Sequence, residues 1–259
     1  MRAIEDGVVF SKFSLPAYRA VLEIALSEGF KLRGFEEPGL SAGKSLIVRI
    51  DVDYSPEWAV ELARINEGVG ISGTFFIQPD SVNYNLFSWE TFRAVAEINR
   101  LKQYVGLHFW ETEWKNEKYT VERVLLTFRF LKEWFPFIRP VVCWHNPLKE
   151  LLERPSILAG TGLMNAYAPE FFSEGCYYSD SNCRNHPEDF IRALKSKNDG
   201  HLAFLFHPIN WVIGGSSVEE ILSSAFRQKI EALHKGFCYN SVWASGLGLE
   251  IMKKLRCCL

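Results

Sequence analysis

The sequence predicts an α/β fold, a distorted (β/α) barrel of about seven units with a short N-terminal helical extension. Three observations lead to this prediction. Short apolar segments alternate with amphipathic helical segments from Ser45 onward. The repeating part is long enough for a barrel, at roughly 200 residues. Nearly every polar residue in an apolar setting stands at the C-terminal end of a predicted strand, where β/α barrels carry their active sites.

The first 44 residues predict a helical extension that precedes a β/α barrel domain over residues 45–259. Ser14 and Pro16 are typical of a helix start, and Gly29 is typical of its end. An apolar stripe that includes Tyr18 and Leu22 lies between them.

The barrel elements follow from the same signals. Strands are predicted at residues 46–50, 73–77, 104–109, 141–144 and 202–206, with short extended pieces near 163–167 and 176–179. Helices are predicted from Ser55 towards Gly68, from Ser88 to about Lys102, from Thr120 to about Phe135, near residues 188–197, and from Ser217 to just before Gly236. The last of these begins with a capping-box pattern, Ser217-x-x-Glu220.

Composition excludes several classes of protein. A formal charge of −2 and a pI of about 6.3 argue against a nucleic-acid partner. No apolar run reaches the length of a membrane span, and residues 1–6 lack the apolar region of a signal peptide. The six cysteines show no CxxC spacing and no disulfide framework, which favours the reducing cytoplasm. The oligomeric state stays open.

The most informative segment is the end of the first barrel strand. Asp51 and Asp53 are two residues apart, so their side chains should point to the same side of the strand. Two carboxylates at such a short distance repel each other unless a cation, an arginine or a shared proton lies between them. Arg49 lies on the same face and offers a purely structural ion pair as one explanation.

Further polar residues end other predicted strands. They are His108, His145, Asp180 and His207. A single buried histidine is often structural, but a set that meets at one rim of a barrel predicts a functional site.

Several motifs, in order and spacing, resemble those of the polysaccharide deacetylase (carbohydrate esterase family 4-like) superfamily, intracellular deacetylase-like branch. They are Asp51-Val52-Asp53, Gly73-Thr74-Phe75-Phe76, Tyr84-Asn85, Gly106-Leu107-His108, His145-Asn146-Pro147, Asp180-Ser181 and Leu205-Phe206-His207-Pro208. The resemblance spans about residues 46–211. It implies a distorted β/α barrel, one divalent metal ion, usually zinc, held by an aspartate and two histidines, and hydrolysis of an N-acetyl or similar amide.

By position, the resemblance makes Asp53 a metal ligand, His108 the first metal histidine, Asp51 the general base and His207 the general acid. The second metal histidine of the family stands four residues after the first, where this chain has Thr112. Either His145 completes the site from the neighbouring strand or the site is degenerate.

The remaining candidates are supporting or substrate-binding residues. They are Asp180, Arg184, Trp110, Trp144, Asn146 and Trp211. Asp180 is expected to orient His207 or a ligand histidine, and Arg184 or Arg49 to hold Asp51 ionised. The tryptophans suit the apolar face of a sugar ring, although packing at the rim explains them equally well.

The leading interpretation is a metal-dependent hydrolase that cleaves an N-acetyl or other linear amide C–N bond, on an intracellular saccharide or saccharide precursor. Two alternatives stay open. One is a cyclic amide or ureide hydrolase that uses the same groups. The other is a non-catalytic saccharide-binding relative. The absence of a histidine at Thr112 favours this alternative, and the retained set opposes it, namely Asp51, Asp53, His108 and His207.

Overall fold

The computed structural model describes residues 11–37 and 43–256, and in these residues parallel strands form one curved sheet covered by helices. The strands are β1 Lys31–Leu32, β2 Ser45–Val52, β3 Thr74–Ile77, β4 Tyr104–Trp110, β5 Val141–His145, β6 Met164–Asn165, β7 Tyr177–Ser179 and β8 His201–Phe206. The helices are α1 Leu15–Ser27, α2 Pro56–Val69, α3 Trp89–Arg100, α4 Glu117–Trp134, α5 Lys149–Leu152, α6 Pro187–Ser196, α7 Pro208–Ile213, α8 Val218–Phe237 and α9 Gly248–Arg256. Short helical turns cover Ser181–Cys183 and Trp243–Leu247.

The sheet has the order β6-β5-β4-β3-β2-β8-β7, and β1 pairs with the start of β2. Strand β2 is central, because it pairs with β3 through Arg49–Val52 and with β8 through Ser45–Ile50. The outer strands β6 and β7 do not pair with each other, so the sheet is a half-barrel. The predicted distorted β/α barrel is confirmed in this open form.

Aromatic side chains lie across the opening between β6 and β7. The ring of Phe172 contacts Tyr167, just after β6, at 4.9 Å and Tyr177, at the start of β7, at 4.7 Å between centroids. Below them, Phe35 packs edge-on against Phe76 and Phe171. Side-chain packing therefore spans the part of the barrel that lacks backbone hydrogen bonds.

Alternation along the strands separates two cores. In β2, Leu46, Val48 and Ile50 face the helices in the larger hydrophobic cluster. Ile47 instead belongs to a smaller cluster inside the half-barrel. Since side chains alternate along a strand, Arg49 and Asp51 share the inner face with Ile47.

The predicted helix starts at Ser14, Ser55, Ser88 and Ser217 are confirmed, because each serine hydroxyl accepts a backbone N–H of the first turn. The predicted start at Thr120 is wrong. Helix α4 begins three residues earlier, where the Asn116 side chain accepts the N–H of Tyr119. The buried Thr120 hydroxyl donates instead to Glu111.

Helix α1 packs against α6 and α2, and its Tyr18 hydroxyl donates to Asn66 of α2 at 2.8 Å. Its apolar side chains belong to the same large cluster as those of β2. The division at residue 44 stays a prediction, and part of the predicted link at residues 36–39 lies outside the described residues, as does the end of the chain after residue 256. Among the helices that the structure describes, none has both the length and the apolar composition needed to cross a membrane.

Gly106 in β4 allows the inner core to close. A Cβ atom at this position would lie 2.8 Å from the Phe76 ring and 2.9 Å from Val141 Cγ1. We therefore expect Gly106→Ala to lower the free energy of unfolding by about 1–3 kcal/mol, the usual cost of overpacking a core. Urea unfolding measures this. Gly236→Ala in α8 is the control, since no atom lies within 4 Å of the added Cβ. Equal losses in both variants would contradict the prediction.

Candidate metal centre

Three possible metal ligands meet at the carboxyl edge of the half-barrel. Asp53 follows β2, His108 lies in β4 and His145 ends β5. Asp53 Oδ1 lies 3.0 Å from His108 Nε2 and 3.4 Å from His145 Nδ1, and the two nitrogens are 3.1 Å apart. Asp53 Oδ1 is buried and accepts no hydrogen bond of normal geometry. One carboxylate and two imidazoles whose donor atoms lie this close together fit the ligand set of a catalytic zinc.

Neighbouring groups orient both histidines. His108 Nδ1 lies 3.3 Å from the carbonyl oxygen of Cys143, so a proton on Nδ1 leaves Nε2 free to bind an ion. The amide of Asn146 lies 3.1 Å from His145 Nε2, on the far side of the ring from Asp53. Asn146 itself has a φ of 43°, the left-handed conformation that asparagine tolerates.

The charges of these groups depend on one another. Burial would raise the pKa of the Asp53 carboxyl, but His108 and His145 outweigh burial and hold that pKa well below its usual value. Burial would lower the pKa of His145, but the neighbouring Asp53 carboxylate outweighs burial and raises it. Asp53 is therefore ionised at neutral pH, as a metal ligand must be.

A second set, Asp51, His108 and Cys143, also places its donor atoms within 4.8 Å of one another. This set is fully buried, and both Asp51 oxygens already accept hydrogen bonds from Arg49. Burial also raises the pKa of the Cys143 thiol well above its usual value, whereas a metal binds the thiolate. The set around Asp53 is the better candidate, because it opens to the cleft.

Asp51 is held by a buried ion pair. Arg49 donates from Nε to Oδ1 at 2.9 Å and from Nη2 to Oδ2 at 2.7 Å. Burial favours protonation of Asp51, but Arg49 and His108 outweigh it and lower the pKa of this carboxyl. Arg49 also lies 4.6 Å from the ring centroid of Tyr167. Of the two cations that the sequence offered for Asp51, the structure places Arg49 there and not Arg184.

His207 has a buried carboxylate behind it. Its Nδ1 lies 2.5 Å from Asp180 Oδ1, and its Nε2 points towards Asp53 Oδ2 at 3.7 Å. The Trp211 indole donates to the other Asp180 oxygen at 2.7 Å. Burial would lower the pKa of His207, but Asp180 outweighs it and raises that pKa from 6.5 to about 9. His207 is therefore protonated at neutral pH.

These groups line a cleft with two lobes that meet at Asp53, His145 and His207. The first lobe has a volume of about 280 Å³. It is lined by Tyr54, Asn83, Asn210, Ile209, Val218, Ile221 and Leu222. The second has a volume of about 290 Å³. It is lined by Asp51, His108, Leu152, Tyr167, Phe172, Tyr177, Ser179 and Arg184. Asn146 and Ser181 border both lobes.

Two of the three candidate tryptophans are not available to a substrate. The Trp144 side chain points to the outer face of β5, although the residue borders the second lobe, and Trp211 is part of α7; both are buried in the large core. As sugar platforms they are therefore wrong, and Trp211 acts through Asp180. Trp110 is half-buried, and its ring meets the ring of His145 edge-on at 5.4 Å. Thr112 is exposed on the segment after β4.

Sequence reasoning missed the contacts that brace the first lobe. The Tyr84 hydroxyl donates to the carbonyl of Val52 at 2.8 Å. Lys229 of α8 donates to the carbonyls of Tyr54 and Asn83 at 2.9 and 3.2 Å. Tyr84 belongs to a motif that the sequence singled out, but no spacing in the chain predicts where Lys229 lies.

Two solved structures resemble this fold. The chitin deacetylase of the fungal pathogen Colletotrichum lindemuthianum aligns with 77% of this chain and 86% of its own, at 10% identity and a TM-score of 0.45. A peptidoglycan deacetylase of Bdellovibrio bacteriovorus aligns with 78% of this chain and 54% of its own, at 14% identity and the same TM-score. No family model and no curated protein matches the chain. Likenesses this distant carry no substrate or mechanism to this chain.

The raised pKa of His207 gives a direct test of the Asp180 contact. We expect the His207 ring to titrate near pH 9 in chelator-treated protein, and Asp180→Asn to lower that pKa, because the main group that opposes burial is lost while Asp53 and Asp51 still raise it. Histidine NMR resonances measure both values. Since the folded pKa lies above the unfolded one, the stability gained from this pair is complete below about pH 6.5 and lost as pH rises through about 9. An unchanged His207 pKa in Asp180→Asn would refute the contact between His207 and Asp180.

Proposed function

We propose that this chain is a divalent-metal-dependent hydrolase that cleaves an N-acetyl or other linear amide bond of a saccharide or saccharide precursor. One observation carries the proposal. Asp53, His108 and His145 turn ligand atoms towards one point in an open cleft, with an ionised Asp51 on one side and a protonated His207 on the other.

Zinc is the metal that we propose, because one carboxylate and two imidazoles with an open side suit a catalytic zinc. When bound, the ion would polarise the scissile carbonyl and make a water molecule more acidic. Asp53, His108 and His145 would hold it. The Cys143 carbonyl would keep the proton of His108 on Nδ1, away from the ion.

Asp51 and His207 would divide the proton transfers. Asp51 stays ionised at neutral pH and would accept a proton from the attacking water. His207 carries a proton on the nitrogen that faces Asp53 and would give it to the departing amine. Asp180 would hold the ring and stabilise its charged form. Both roles require the protonation states that the surrounding charges favour.

The geometry around His145 supports an enzyme over a non-catalytic relative. Thr112 is exposed, and His145 brings its Nδ1 to 3.1 Å from His108 Nε2. We therefore propose that His145 supplies the third ligand. An intracellular location is also part of the proposal, and it rests on the cysteine pattern.

Metal content tests the ligand set. We expect purified protein to hold about one divalent ion per chain, and His145→Ala to lower its occupancy as strongly as His108→Ala, since each removes one of three ligands. Elemental analysis after dialysis measures this. His234→Ala is the matched control, because His234 contacts Trp243 near the end of the chain. Thr112→His should not raise metal affinity. Full metal occupancy in His145→Ala would show that His145 is not a ligand.

Turnover tests the base. We expect Asp51→Asn to lose about 10²–10⁴-fold in kcat while it keeps its metal, because the amide cannot accept the proton. Acetate released from an N-acetylated sugar measures activity, and Asp199→Asn, at an exposed position, is the control. Because Asp51→Asn leaves the buried Arg49 unpaired, circular dichroism checks its fold and His207→Gln gives an independent variant. A folded, metal-loaded Asp51→Asn with normal kcat would refute the mechanism.

A further inference from the structure

The carboxylates of the cleft already have cationic or histidine partners. Asp51 pairs with Arg49, and Asp53 faces the nitrogens of His108 and His145. Behind the cleft wall, the Asp180 carboxylate pairs with His207 Nδ1. Each carboxylate of the site therefore has a partner in the protein before a substrate arrives.

Arg184 is different, because none of the described residues pairs with this cation. It lines the second lobe and is exposed, and its guanidinium makes no hydrogen bond or ion pair with any residue that the structure describes. Within the described lining of both lobes, no other arginine and no lysine is present. The nearby hydroxyls of Ser179 and Ser181 lie 2.7 Å apart, and since one donates to the other, a single hydroxyl proton is left for a bound group.

The backbone before Arg184 is built in a costly way. Cys183 has a left-handed conformation with φ of 55°, and Asn182 before it has φ of 51°, which asparagine tolerates. Residues persist in such conformations only when the surroundings fix them, and such strain is concentrated at functional sites. The Asp180 carbonyl accepts the N–H of Cys183 at 2.9 Å and the Asn210 side-chain amide at 3.0 Å. The loop that carries Arg184 is thus tied to the residue that holds His207.

We propose that Arg184 binds an anionic substituent, a carboxylate or a phosphate, so that the preferred substrate is an acidic saccharide derivative. This inference rests on the proposed function, since it treats the cleft as the substrate site. A guanidinium offers two parallel donors that match a carboxylate or phosphate. Because the carboxylates of the cleft already have partners, an anion that binds the guanidinium is not repelled by an unpaired carboxylate.

Binding to the metal-loaded full chain tests the proposal by calorimetry with three probes. The neutral probe is N-acetylglucosamine, the phosphate probe is N-acetylglucosamine 6-phosphate and the carboxylate probe is N-acetylmuramic acid. We expect the wild type to bind at least one acidic probe more tightly than the neutral one. Arg184→Gln should weaken that probe about tenfold and leave the neutral probe within about twofold. Arg184→Lys should keep part of the preference, and added salt should narrow it.

Arg192→Gln is the matched control, because Arg192 is an exposed arginine of α6 that pairs with Asp189 outside the cleft. It should change none of the three affinities. The proposal is overturned if neither acidic probe is preferred, or if Arg184→Gln weakens acidic and neutral probes alike. Acetate release is measured in parallel. An Arg184-dependent preference without release from any probe would refute the hydrolase and leave anion binding standing, so the two failures are distinct.

Discussion

The ion pair between Arg49 and Asp51 is the constraint on which the inside of this half-barrel depends. Both side chains are 3% exposed, and taking two charges out of water is tolerated only with close, well-directed hydrogen bonds. Arg49 meets this requirement, because it donates hydrogen bonds to both oxygens of Asp51 and to the Tyr167 hydroxyl. The pair therefore fixes a carboxylate beside His108 in its ionised state. Removal of one partner alone would leave the other charge buried, at a cost of about 3–5 kcal/mol.

Strand alternation decides which residues can reach the cleft. In β2, β4, β5 and β8, every second side chain points inward, which places Asp51, His108, His145 and, just past its strand, His207 around one point. The intervening positions pack against helices in the large core. Trp144 is buried for this reason, although it stands next to His145 in the sequence.

Much of this arrangement could be predicted from the sequence, because its local signals are strong. Serine caps, β-branched runs and polar residues at strand ends gave the order of elements and the rim where Asp53 and His108 lie. Partner choice could not be predicted, since it depends on neighbours distant in the chain. Arg49 rather than Arg184 pairs with Asp51, because Arg49 shares the inner face of β2 with it. Helix α4 begins early, because Asn116 caps it in place of Thr120. The role assigned to His145 rests on its distance from His108, which no spacing reveals.

The open edge between β6 and β7 gives the cleft a tolerance that a closed barrel lacks. A ladder of backbone hydrogen bonds fixes the distance between two strands, whereas the rings of Phe172 and Tyr177, which pack edge-on, can be exchanged for larger or smaller ones. These rings also line the second lobe. The width of that lobe can therefore drift by single substitutions while Asp53 and its histidines, which sit on paired strands, keep their spacing. Redesign for bulkier substrates can therefore start at the rings between β6 and β7.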